Sequence, residues 1–194
     1  MYARPMLEYI IKSSRVKIAI PFILFSCVIG FHIGAIGKEC YAMNLDIKST
    51  AFGEGGLIPK KYTCDGADVS PQLSWSQPPE GTGSIVLICD DPVAPMGTWV
   101  HWVLYGLSSD TLEISVGIPD DKEVLGGAKH GVNDFHKYGY GGPCPPGGTH
   151  RYFFKLYAVN TVVDLDPGAT KDEVLGAIKG HILAEGQLMG RHSR

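Results

Sequence analysis

The stretch SIVLICDDPVAPMGTWVHWVLYGL, Ser84 to Leu107, decides how this chain is read. Its first part, Ser84 to Asp90, is almost continuously apolar, which is the pattern of a strand buried on both faces. Asp91-Pro92 and Ala94-Pro95-Met96-Gly97 interrupt it with turn chemistry. Thr98 to Leu107 then alternates poorly because both of its faces are apolar, so it reads as a second buried strand.

Working outward, Tyr62 to Gly81 is mostly loop by its Gly, Asp, Ser and Pro content, with a short strand expected around Leu73 to Ser76. Ser108 to Gly148 is long and weakly patterned, and a stretch of that length in a compact domain tends to carry function. The run GPCPPGGTHRYFFKLYAV, Gly142 to Val159, drives a rigid Pro/Gly loop into a strand beginning at His150. Period two puts His150, Tyr152, Phe154 and Leu156 on one face of it and Arg151, Phe153, Lys155 and Tyr157 on the other. Thr170 and Glu173 form a capping box, followed by an apolar stripe of Val174, Leu175, Ile178 and Ile182. Strands first and one late helix predict an all-β sandwich with a helical appendage. The 25 glycines and 13 prolines agree with a turn-rich β chain.

The 194 residues suffice for one ordinary domain, and 44% hydrophobic with 19% charged residues is a globular composition. Residues 1 to 37 read separately. A basic flank, Arg4, Lys12, Arg15 and Lys17, precedes an uncharged apolar run from Ile18 to Gly37. This predicts a signal peptide or an N-terminal membrane anchor, with residues 43 to 194 as the domain it exports to the periplasm or beyond. Translation from Met43, giving a cytosolic protein, is the rival expectation. Removing residues 1 to 37 takes away four of 17 basic and one of 20 acidic residues, leaving 13 against 19 and a net charge of −6. An acidic domain lacks the footprint of a nucleic-acid binder.

Cys40, Cys64, Cys89 and Cys144 survive such a cleavage, an even number in a compartment that permits disulfides. Cys89 reads as a buried apolar residue, whereas Cys64 and Cys144 both lie in Gly/Pro/Asp loops and form a candidate disulfide. If the strands ending at Asp91, carrying His101 and beginning at His150 are neighbours, these three side chains meet at one end of the sheet. A carboxylate on one imidazole nitrogen fixes the ring's tautomer and favours its charged form, leaving the other N–H aimed outward as a donor. Two such rings, with the backbone amides of Gly147, Gly148 and Thr149, would bind a small anion, and the prolines would stiffen the loop around it. Alternatives stay open: a hydrolase using Asp91, His101 and His150, a Cys144 nucleophile served by His150, or a metal site on Asp91, His101, Cys144 and His150. His130 and His136 read as exposed loop residues, Asn133 and Asp134 as turn formers, and the tryptophans as core or one pocket wall.

At CDGADVSPQLSW, DDPVAPMGTWVHW, GPCPPGGTHRYFFKLYA and HILAEGQLMG the chain resembles the phosphatidylethanolamine-binding protein family, also called Raf-kinase-inhibitor-like, in its bacterial and archaeal branch. The resemblance runs from about Leu45 to the C-terminus. It implies a Greek-key β-sandwich with a C-terminal helix and a pocket for phosphate or a phosphoethanolamine head group. The family's pocket residues fall on Asp91, His101, His150 and Tyr152, and its Pro-rich rim on Pro143 through Pro146. Val93 stands where eukaryotic relatives commonly carry an acidic residue, which leaves phosphate recognition as the safer implication. The expected molecule is an exported, non-catalytic binding protein for a small anionic ligand, phosphate or a phospholipid head group, without cofactor or metal. An inhibitor presenting its rim to a protein partner is a further alternative, and membrane association through residues 18 to 37 and a homodimer stay open.

Overall fold

A computed structural model describes residues 43–194; the expected leader, residues 1 to 37, and Cys40 lie outside the described residues. The strands are β1 (Met43–Asn44), β2 (Ile47–Lys48), β3 (Gly56–Leu57), β4 (Leu73–Trp75), β5 (Ser84–Asp91), β6 (Trp99–Leu107), β7 (Glu113–Ile114), β8 (Glu123–Val124), β9 (Ala128–His130), β10 (Thr149–Val159) and β11 (Ile182–Ser193). One helix, α1 (Lys171–Ile178), lies between β10 and β11. Among the described residues no helix is long and apolar enough to cross a membrane.

The continuous apolar run at β5 has a direct cause. In the large sheet, ordered β1-β11-β10-β5-β6-β9-β8, β5 is central, and all eight of its residues are buried. Alternate side chains serve two cores. Ile85, Leu87 and Cys89 join Trp102, Phe154 and Leu156, while Val86 and Ile88 join Val103, Tyr105, Val174 and Ile178. A second, three-stranded sheet, β2-β4-β7, supplies Ile47, Leu73, Trp75 and Ile114 to the first core. The helix covers the second core through Val174 and Ile178. Its start is the expected capping box, with the Thr170 side chain accepting from the Glu173 amide and the Glu173 carboxylate accepting from the Thr170 amide.

The described residues are thus mostly β with one α-helix, as expected, but the sheets are open and the larger one is mixed. β1 and β3 both pair parallel to β11, while the other pairings are antiparallel. A Greek-key sandwich is a narrower description than this pairing supports.

The helix is also not the C-terminal element. It ends at Ile178 because Lys179 is extended and Gly180 adopts φ +81°, after which the chain returns as the twelve residues of β11. Ile182 therefore begins a strand and is not part of the helical stripe. The pattern of β11 is obscured by Gly186 and Gly190, where a Cβ would collide with the Leu45 carbonyl and with Ile58 and Phe52 respectively. Those glycines are the places where neighbouring chain passes too close for a side chain.

Candidate functional site

The order β10-β5-β6 brings the ends of three strands together, and with them the three side chains the sequence singled out. Successive residues of a strand point to opposite faces, so the Asp-Asp pair at the end of β5 divides its labour. Asp90 turns toward the helix side and holds Lys155 and Lys171 at 2.9 and 2.5 Å. Asp91 turns the other way, and its Oδ2 accepts a 2.6 Å hydrogen bond from His150 Nδ1. Its Oδ1 accepts from the Val93 amide at 2.9 Å, so the same carboxylate also shapes the turn that follows. Both partners are buried, Asp91 at 3% and His150 at 8% exposure.

His101 is anchored differently. Its Nδ1 donates to the Gly141 carbonyl at 2.6 Å, and the Gly141 amide donates back to the His101 carbonyl at 2.9 Å. The loop bearing Gly141 is folded by Asn133, whose Oδ1 accepts from the Phe135 and Lys137 amides and whose Nδ2 donates to the Gly139 carbonyl. This brings the Phe135 ring edge-on against both His101 and Trp99, at 5.3 and 5.4 Å between centroids. Tyr152 packs edge-on against the other side of His101 at 5.1 Å, and its enclosed hydroxyl has no partner among the described residues. Burial first, then the Asp91 charge, pushes that hydroxyl far above the ordinary tyrosine range, so it stays protonated. Burial likewise lowers His101, against the opposing pull of the Gly141 carbonyl and the nearby carboxylates.

These groups form the floor of a cavity of about 310 Å³. Its walls are largely apolar: Ala94, Pro95 and Met96 from the loop after β5, Trp99 and Phe135 on one side, and Cys144, Pro145 and Pro146 on the other. A concave apolar site with a few convergent polar groups is the usual form of a small-ligand pocket. The rim is strapped down from below. Cys64 and Cys144 are joined in a disulfide. Beside it the Cys64 amide donates to the Pro143 carbonyl, the Gly142 amide to Asp68 Oδ1, and the Tyr140 hydroxyl to the Tyr62 carbonyl. Next to the bridge, Arg194 and His192 both engage Asp65, and the Arg194 guanidinium holds that carboxyl below its ordinary range.

Of the residues expected in the site, Asp91, His101, Pro146, His150 and Tyr152 line the cavity. Pro143 does not. It is buried behind the rim, where its carbonyl serves the Cys64 amide. The expected ring of loop amides is absent as well: Gly147, Gly148 and Thr149 stay out of the lining, and the Gly148 amide is committed to the Arg194 carbonyl, extending the β10/β11 pairing. Cys144 cannot be a thiolate nucleophile because its sulfur is in the disulfide. Among the described residues no three His, Cys, Asp or Glu side chains are grouped to hold a metal ion. His130 is no exposed loop residue; it lies on β9, fully buried, with Nδ1 donating to the Asp121 carbonyl, whereas His136 is exposed. Asp134 accepts from the distant Val100 amide and does not cap its own turn. Trp99, Phe135 and Met96 are wall residues with no periodic signal in the sequence to announce them.

Residues 48–193 match the family model described as Phosphatidylethanolamine-binding protein. A UPF0098 protein of Methanothermobacter thermautotrophicus is 47% identical over 150 residues, covering 77% of this chain and 99% of that protein. A UPF0098 protein of Aquifex aeolicus is 44% identical over 174 residues, 88% of this chain and 99% of its own. Among solved structures, a putative phosphatidylethanolamine-binding protein homolog from Chlamydia trachomatis, CT736, superposes with a TM-score of 0.72 at 38% identity, covering 79% of this chain and 99% of that one. YbcL of E. coli, described as a new member of the mammalian PEBP family, gives 0.73 at 28% identity over 78% of this chain and 99% of that one.

Proposed function

This chain belongs to the phosphatidylethanolamine-binding protein family, and we propose that it is an exported, non-catalytic binding protein whose cavity holds a small oxyanion, phosphate or a phosphoethanolamine-type head group. The observation that carries this reading is the Asp91–His150 pair at the floor of an open, apolar-walled cavity, with a second imidazole beside it. A proton on the His150 ring sits against a carboxylate, so the ring can present a charged donor to an anion without leaving an uncompensated charge in the interior. The apolar walls suit the carbon skeleton of an ester above the head group. Export is supported by the Cys64–Cys144 disulfide, since such bonds persist in oxidising compartments.

A few hydrogen bonds of about 1.5–3 kcal/mol each, less the ordering of the ligand, place Kd between roughly micromolar and millimolar. Isothermal calorimetry with phosphoethanolamine should give a saturable heat for the wild type and none for His150→Ala. Absence of any saturable heat in the wild type overturns the reading. A second reading, in which the rim meets a protein partner, is favoured by the exposed lip of the cavity, where Met96 is 92% exposed. Pull-down from the exported fraction with wild type and Met96→Asp separates the two, because only a rim-bound partner is lost in that variant.

A further inference from the structure

The partner of His101 decides what this floor can recognise. A carbonyl oxygen carries no proton, so in the 2.6 Å contact with Gly141 the hydrogen belongs to His101 Nδ1. A neutral ring has one N–H, and Nε2 therefore presents a lone pair. The carbonyl is itself fixed: the Gly141 amide is bonded to the His101 carbonyl, and a side chain at Gly141 would strike the Phe135 ring. Phe135 and Tyr152 hold the imidazole between their edges. Behind His150 stands a carboxylate that can balance an added proton, whereas only a neutral carbonyl stands behind His101. Burial also weakens His101 as a base. Neither Nε2 atom has a partner among the described residues, and neither is among the enclosed unpartnered atoms, so both are open to the cavity.

We propose that His101 Nε2 is a hydrogen-bond acceptor that selects oxyanions still carrying a proton, inorganic phosphate and phosphomonoesters below their second pKa of about 6, over fully deprotonated ones of the same shape such as sulfate. The proposal rests on the anion-binding reading and deepens it. A protonated phosphate oxygen donates to His101 while its charged oxygens accept from His150. Sulfate has no proton to offer at neutral pH, and its oxygen would face the lone pair of the buried His101 ring. An unmatched acceptor pair of this kind weakens binding by roughly tenfold to a hundredfold. Charge alone argues the other way, because doubly charged sulfate is drawn more strongly to a cationic donor than singly charged phosphate. The two ideas therefore predict opposite orders of affinity.

The test is competition calorimetry of the wild-type protein with inorganic phosphate and with sulfate at one pH, ~6, where phosphate keeps its proton. Phosphate should bind at least tenfold more tightly, and in His101→Phe the two affinities should converge, phosphate losing its acceptor and sulfate losing the opposing lone pair. Nitrogen-15 NMR of the free wild-type protein should show His101 protonated at Nδ1 and bare at Nε2, a readout that needs no variant to fold. Sulfate binding as tightly as phosphate, or a protonated Nε2 in the free protein at neutral pH, overturns the selection mechanism and leaves the anion site standing. If neither ion binds, the anion site itself is wrong and the selection falls with it.

Discussion

Breaking the Cys64–Cys144 bridge should unfold this protein far more readily without much altering its cavity. The two cysteines are 80 residues apart, and the loop they close holds two of the three strands that build the floor, β5 and β6. For a closed loop of that length the chain-entropy treatment gives about 4.5 kcal/mol of stability, all of it through the unfolded state. Cys144 is exposed and Cys64 partly so, hence a Cys64→Ala/Cys144→Ala variant leaves almost no packing defect to confuse the result. In the folded state the same two loops stay tied by Gly142 to Asp68, Cys64 to Pro143 and Tyr140 to Tyr62. Urea unfolding followed by tryptophan fluorescence should therefore show a loss near 4.5 kcal/mol with a larger m-value, because the freed chain exposes more surface. In a thermal scan that corresponds to a fall of about 9–18 °C. Phosphate affinity should change by less than about threefold, under 1 kcal/mol. A loss of stability below about 1 kcal/mol would refute the cross-link argument. So would intact stability with abolished binding, which would mean the bond shapes the native rim.

Three further outcomes are expected. Asp90→Ala strands Lys155 and Lys171 around a buried, empty position and should destabilise the protein by about 3 kcal/mol in urea, while leaving anion binding intact because Asp90 faces away from Asp91. Thr170→Ala removes the helix cap and should cost about 1 kcal/mol by the same measurement, with no effect on the cavity. Burial holds His130 and His101 below the unfolded value of about 6.5, so the unfolded chain binds more protons beneath that pH; stability is present above it and lost as pH falls toward the folded values. His130→Phe should accordingly flatten the acid slope of stability by up to about 1.4 kcal/mol per pH unit, and an unchanged slope in urea titrations from pH ~7 to ~5 would contradict it.

The three strands that carry the floor were legible because their burial is written in composition. β5 and β6 are apolar on both faces, and β10 alternates, with His150 and Tyr152 on the buried side. Asp91, His101 and His150 could be placed together because each sits at a strand end, where strand adjacency alone fixes position. β11 was not legible, since two glycines that admit neighbouring backbone erase the alternation at the positions where it would show. Phe135 escaped notice for a related reason: it reaches His101 by way of a loop folded on Asn133 side-chain bonds, and such bonds leave no period. His130 looks like a loop residue among glycines, yet pairing with Leu104 draws it into the interior beside Trp102. The His101 tautomer depends on a carbonyl forty residues away, a contact that leaves no mark on the local sequence.

The placement of β5 between β6 and β10 has an engineering consequence. The polar base is inherited from a hydrogen-bonded ladder at the centre of the molecule, whereas the walls, apart from Trp99 on β6, come from segments outside the named strands: the turn after β5, the Phe135 loop and the proline run. Grafting other sequences onto those three segments should yield receptors that keep one head-group chemistry while accepting differently shaped tails, a separation of recognition from selectivity that directed evolution can exploit.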